Sequence, residues 1–308
     1  MQMDSVGRLH CAVEGRTPDR VPVSVWYHFG SEHLPPPAVA RLHAEYHAAY
    51  EWDFLKAMFD YRLEYPDAVD GAPALDLPLM LAATDWRAPF ALQREVLVAL
   101  RAHLGPRVPL VETIYSPWMY LLRHLGADRT DELLACPDLL TDILARLTEE
   151  TVRHVREVAA LGCYGIYFAT LAAGMADGQA QQIHDREVLS QAGGMVRMLH
   201  LHGSRIDPGA VASYPREVLH SDNQDPGNPS LARLRAAGRC LMGGLPTALT
   251  GMSMQALRRH ARDAIAEAGG AGFILAPGCS VSPSVSVRKL RALRDPSLLA
   301  TSGSTASA

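Results

Sequence analysis

Eight short apolar runs, many of them rich in β-branched residues, limit what this chain can fold into more than any other feature. They are RVPVSVW (20–26), DFLKAMF (53–59), VPLVETIY (108–115), CYGIYFAT (163–170), MVRMLHLH (195–202), REVLHSD (216–222), RCLMGGL (239–245) and GFILAPGC (272–279). Between several of them lie stretches with helical spacing: PPAVARLHAEYHAAY, WRAPFALQREVLVALRAHL, CPDLLTDILARLTEETVRHVREVAALG and SMQALRRHARDAIAEAGG. Buried strands alternating with amphipathic helices are the pattern of parallel α/β structure. Eight such strands predict a (β/α)8 TIM barrel, and 308 residues suit one barrel domain over residues 1–300. The tail at 301–308 is expected to be disordered. The segment 60–90 is too long and proline-interrupted for a simple connection, and reads as a functional loop or insertion.

Composition narrows the function class. With 48% hydrophobic and 20% charged residues and a net charge of -4, the chain offers no general field for nucleic acid. No apolar run approaches the roughly eighteen residues that cross a membrane, and MQMDSVGRLH lacks the order of a secretion signal, so a cytoplasmic location is expected. The five cysteines form no C-x-x-C pair, which points to reduced thiols, four of them serving only to pack. Lys56 and Lys289 are the only lysines.

Barrel enzymes gather their chemistry where strands end and βα loops begin. There His200 and His202 share one face of the fifth run, because a strand alternates faces with period two, and Gly203 lets the chain turn away at once. The pair reads either as two metal ligands or as two polar residues closing a buried strand. Cys279, at the end of the eighth run, would stand on the same mouth in a closed barrel. His, His and Cys with a fourth place open is the composition of a catalytic zinc site, although a lone cysteine is commonly just a buried thiol. Other strand ends offer Tyr27 and His28, Lys56 with Asp60, Tyr115 with Ser116, and His220 with Asp222. Each has a plain structural alternative: Lys56 pairing with an interior carboxylate, Tyr115 only packing, SDNQDPGN forming an ordinary turn. His43 and His47, four apart on a helix, are read as surface residues.

Several of these segments resemble the uroporphyrinogen decarboxylase superfamily, which includes true decarboxylases and zinc-dependent methyltransferases that move methyl groups between corrinoid proteins and thiols. GRTPDRVPVSVWYHF is similar to the family's first strand and its approach, LHLHG stands where the methyltransferases carry His-x-Cys-Gly, and GFILAPGC is similar to their last strand with its ligand cysteine. The resemblance spans most of the chain and implies the same barrel. Two departures matter. Where the decarboxylases hold substrate carboxylates with arginines, this chain reads YHFGSEHLPPP, with none between the first strand and Arg41, which argues against uroporphyrinogen as substrate. His202 replaces the middle cysteine, a neutral donor for an anionic one, which makes a zinc centre more electrophilic.

The expectation is therefore an enzyme in which His200, His202 and Cys279 hold zinc, activating a thiol or other small substrate for methyl or alkyl transfer. Tyr27, His28, Lys56, Tyr115, His220 and Asp222 are candidates to orient the substrate or move protons. The resemblance implies a corrinoid carried by a separate protein as a partner, and a homodimer is the commonest assembly for such a chain. Two alternatives stay open: a metal-independent decarboxylase or lyase acting on a small carboxylic acid through Lys56, His28 and Asp222, and a barrel that binds a small molecule without turning it over.

Overall fold

The computed structural model describes residues 2–64, 77–174 and 179–300. The tail at 301–308 and the middle of the segment 60–90 lie outside the described residues. Helix α1 (Ser5–Val13) is followed by an extended segment over 21–26, then by α2 (Pro36–Tyr50), β1 (Leu55–Ala57), α3 (Leu77–Ala83), α4 (Ala88–Leu104), β2 (Leu110–Tyr115) and α5 (Pro117–Leu125). Next come α6 (Ala127–Leu134), α7 (Pro137–Ala160), β3 (Gly165–Thr170), α8 (Gln179–Ser190), β4 (Val196–Leu201) and β5 (Val218–Ser221). The chain continues through α9 (Leu231–Leu234), β6 (Cys240–Leu245), α10 (Met254–Ala268), β7 (Phe273–Pro277) and α11 (Val287–Ala292). The connection from β4 to β5 carries a 3-10 turn, Pro208–Val211, where a helix would complete the regular unit.

The seven strands form one parallel sheet in sequential order β1 to β7. The first predicted strand takes the eighth place between its two edges. Val23 bridges Leu275 in parallel, with Leu275 N donating to Pro22 O at 2.9 Å and Ser24 N donating to Leu275 O at 3.2 Å. On the other side Asp53 N donates to Val23 O at 3.0 Å, and Ser24 Oγ to Phe54 O at 2.9 Å. The fold is thus a (β/α)8 barrel whose closing strand is held by few ladder bonds, in part because Pro22 has no N–H to give.

Side chains supplement this weak seam. The Asp53 carboxylate is fully buried and receives Arg8 Nη1 at 2.7 Å, Arg20 Nη1 at 2.7 Å and Nη2 at 2.8 Å, Arg294 Nη1 at 3.1 Å and Val23 N at 2.8 Å. One anion therefore ties α1, the closing strand, the start of β1 and the C-terminal segment together. Outside the strand ring, Glu112 of β2 faces the helices, where His154 of α7 lies 3.1 Å away and Gln93 of α4 donates at 3.1 Å. These contacts satisfy a buried carboxyl that burial pushes above its usual range. The inward residues Lys56, Thr113, Tyr115, Tyr167, Ala169 and His200 point to the opposite side and line the cavity at the strands' C-terminal ends.

Candidate metal centre

His200 is the penultimate residue of β4 and His202 the first beyond its end, so both rings turn inward. Thr170 O, at the end of β3, accepts from His202 N at 2.9 Å and fixes that backbone. Gly203 follows with φ 112°, the left-handed region in which a side chain would be strained, and takes the chain off the barrel. Across the mouth, Gly278 sits against β5: a Cβ there would lie 2.3 Å from Asp222 Cγ and 2.7 Å from its Cα. Only glycine permits this approach, and it delivers the next residue, Cys279, to the histidines.

His200 Nε2 lies 3.3 Å from His202 Nδ1, Cys279 Sγ lies 4.0 Å from His202 Nδ1, and ligand atoms of all three fall within 4.8 Å of one another. Zinc bonds of about 2.05 Å to nitrogen and 2.3 Å to sulfur in a tetrahedron set donor separations of roughly 3.3 Å for N···N and 3.6 Å for N···S. The donor types, and the two separations to His202, are close to those of a three-ligand zinc site, and all three residues line the cavity. Burial, with His220, His202 and Lys56 nearby, holds His200 well below the usual histidine range, leaving a neutral imidazole with a lone pair to give. Burial alone would raise the Cys279 thiol, but His202, the Ser280 backbone and Lys56 outweigh it and hold the thiol below the ordinary cysteine value. His200 Nδ1 is buried with no hydrogen-bond partner among the described residues. Metal-bound histidines usually donate that second N–H, so this imidazole is oriented by packing instead, with the Tyr167 ring stacked at 5.2 Å and His220 at 4.6 Å.

The cavity beside these donors holds about 400 Å³. Trp26, Met58, Met119, Leu122 and Leu171 make its apolar wall. Lys56 enters from β1, only 4% exposed, with Nζ 4.3 Å from the Tyr167 ring centre, 5.3 Å from that of Trp26 and 3.2 Å from Met58 Sδ. Among the described residues no carboxylate comes within ion-pair distance of it, so the pairing considered from sequence is not made. Burial pushes its ammonium down to about 7. At the rim, His28 Nδ1 meets Asp60 Oδ1 at 2.5 Å, and Arg123 Nη2 approaches the same oxygen at 3.6 Å. Arg123 Nη1 donates to Tyr115 Oη at 2.7 Å, with the guanidinium carbon 4.7 Å from that ring's centre.

Of the residues singled out from sequence, His28, Lys56, Tyr115, His200, His202 and Cys279 line this one cavity. Tyr27 does not: on an extended segment whose alternate residues Trp26 and His28 face inward, it turns the other way and packs on Phe29 and Tyr46. His220 packs against the His200 ring, fully buried, its Nδ1 2.8 Å from Tyr167 Oη and its Nε2 3.0 Å from Pro277 O. A carbonyl can only accept, so Nε2 carries the proton and Tyr167 donates to Nδ1; both nitrogens are consumed. Asp222 sits behind Gly278, outside the cavity lining, its Oδ1 accepting from Gln224 N at 3.1 Å. The surface reading of His43 is corrected: it is fully buried, accepting Met58 N at 3.0 Å on Nε2 while Nδ1 bonds Val39 O at 2.9 Å. His47 is half-buried and bonds Trp52 O at 3.1 Å. Arg123 escaped the sequence reading although its signal was present: Met119, Leu122 and Arg123 share the i, i+3, i+4 face of α5 that covers the pocket.

Comparison with known proteins agrees with the barrel fold. A methyltransferase from Methanosarcina mazei superposes with a TM-score of 0.73 at 19% sequence identity, covering 95% of this chain and 98% of that one. A B12-independent methionine synthase from Shewanella sp. W3-18-1, in complex with selenomethionine, gives a TM-score of 0.57 at 12% identity, covering 90% and 93%. These likenesses concern the fold. A search of curated protein sequences found no match. The sequence profile of uroporphyrinogen decarboxylase (URO-D) matches residues 79–296, well over half of the chain, and the protein therefore belongs to that family.

Proposed function

We propose that this URO-D family member is a zinc enzyme that activates a thiol, or another small nucleophile, for methyl or alkyl transfer, the methyl donor being presented at the barrel mouth by a separate corrinoid protein. The observation that carries the reading is the convergence of His200, His202 and Cys279 beside a cavity large enough for a small substrate. The methyltransferase likeness from Methanosarcina mazei supports it. A zinc ion held by these three residues would supply a Lewis acid that lowers the pKa of a thiol in the open place.

The chain's own residues then have defined tasks. As zinc ligands His200 and His202 would be neutral donors, and with the single thiolate of Cys279 they would give the ion less charge than a set with two thiolates, leaving it more electrophilic. Trp26, Met58, Met119 and Leu122 hold the apolar part of the substrate and keep water from it. Asp60 anchors His28 through Nδ1, which leaves Nε2 at the pocket rim to hold or pass a proton. Arg123 and the Tyr115 hydroxyl present polar hydrogens that fix the substrate's orientation.

Metal analysis of the purified protein tests the first half: about one zinc per chain is expected. The Cys279→Ala variant should bind zinc at least about tenfold more weakly, and cobalt substitution should lose its thiolate charge-transfer band in that variant. Full zinc retention by Cys279→Ala would remove the third ligand. Transfer from methylcobalamin to a small thiol, abolished by chelation and restored by zinc, tests the second half; transfer that survives chelation would refute it.

A further inference from the structure

Lys56 is costly where it stands. An ammonium taken out of water must normally be repaid by a carboxylate; among the described residues none lies within ion-pair distance of Lys56, whose contacts are two aromatic faces and a thioether, with Cys279 lining the same cavity. A methionine of similar length would fill the same space without that cost. Arginine, which supplies nearly every other basic position in this chain, would stay charged, whereas a lysine can give up its proton. The amine also faces the cavity and not the packed interior between strands and helices.

We infer that Lys56 is a nucleophilic amine that forms an imine with a small aldehyde or ketone bound in the barrel pocket. The neutral Nζ adds its lone pair to the carbonyl carbon, forming the N–C bond as the carbonyl π pair moves onto oxygen, which takes up a proton while nitrogen loses one. The carbinolamine then expels its hydroxyl as water and becomes the imine, so that one carbonyl and one amine yield one imine and one water, with no oxidant or reductant. The apolar wall of Trp26, Met58, Met119 and Leu122 selects a carbonyl compound with a hydrocarbon substituent, and His28, anchored by Asp60, is the rim group able to exchange the protons. This activity needs no metal; it shares its cavity with the zinc reading but is tested independently of it.

With only two lysines, the chain makes the test direct. Lys289, half-buried on α11 and donating to Leu249 O and Thr250 O, is an internal comparison. The protein is incubated with butanal and cyanoborohydride at neutral pH, digested, and the two lysine peptides are quantified by mass spectrometry. The reduced butyl adduct should form on Lys56 about tenfold faster, or more, in the folded protein than in the guanidinium-unfolded chain. Lys289 should show no such acceleration. Labelling of folded Lys56 that is absent, or no faster than in the unfolded chain, overturns the inference, and because the unaltered protein is used, no variant has to fold.

Discussion

Replacing Asp53 by asparagine removes one negative charge from the seam that closes the barrel and leaves three guanidinium groups around a neutral amide. The parent carboxylate makes four contacts of 2.7–3.1 Å with Arg8, Arg20 and Arg294, whose side chains are 5%, 13% and 22% exposed. Arg8 keeps Asp19 as a partner, at 2.7 Å, but Arg20 and Arg294 have no second carboxylate among the described residues. Breaking a buried ion pair by removing one partner costs about 3–5 kcal/mol. The asparagine oxygen still accepts Val23 N–H, so the lower half of that range applies to the amide and the upper half to Asp53→Ala. For a chain of this length the unfolding entropy is roughly 0.6 kcal/mol per kelvin, which converts the range to a fall in Tm of about 5–8 °C. Thermal unfolding followed by circular dichroism reads this directly. Because the pairs are sheltered, the deficit should persist at high ionic strength. A Tm within about 2 °C of the parent would show that the ladder bonds of Val23 and Ser24 close the barrel unaided, and that this account of the seam is wrong.

Gly278→Ala should weaken zinc binding by about tenfold or more while costing only about 1–3 kcal/mol in stability, because the new Cβ meets Asp222 and displaces Cys279; isothermal titration with zinc reads it, and unchanged affinity would refute it. Asp185, buried and accepting from Thr170 Oγ1 at 2.6 Å and Tyr214 Oη at 2.8 Å, has its carboxyl pushed up to about 7 by burial, its two hydrogen bonds pulling the other way. A folded pKa raised above the unfolded value of about 3.9 means stability is full below about pH 4 and is lost as pH rises to about 7, by at most about 4 kcal/mol. Asp185→Asn removes that loss, so its Tm relative to the parent should climb between pH 4.5 and pH 8; a difference that stays constant with pH would count against it.

Much of this architecture was legible in the chain. Short, nearly continuous apolar runs marked seven ladder strands and the closing segment, since parallel barrel strands are buried on both faces and carry little else. The long helices α2, α4, α7 and α10 were legible through their spacing and terminal glycines or prolines. Helices α1, α5, α6, α8 and α11 escaped, being short or, like QAQQIHDREVLS, too polar to show a stripe. At the site, alternation identified which strand residues point inward, but not which of them reach the cavity. His220, on β5, points inward and is spent on Tyr167 of β3 and Pro277 of β7, partners two strands away on either side that only the closed barrel brings to it. His43 is buried because Met58 N needs an acceptor there, a demand that arises only once α2 lies on β1.

The donor cluster and the closure of the barrel are one physical fact. Strands β4 and β7 are separated in the sheet by β5 and β6, so on a flat sheet their axes would lie roughly 14 Å apart, three spacings of about 4.8 Å. Yet ligand atoms of His200, His202 and Cys279 fall within 4.8 Å of one another. Side chains reaching inward recover part of the difference, and strand curvature must supply the rest. That curvature is held where the ring closes, by Val23 against Leu275 and by the arginines around Asp53, at the end of β1 opposite the mouth. A change at Asp53 that loosens the seam should therefore lower zinc affinity from the far end of the barrel, while a helix-surface change of equal cost in Tm should leave it alone. Equal zinc affinity in both would mean that β4 to β7 keep their curvature through their own twist, independent of closure.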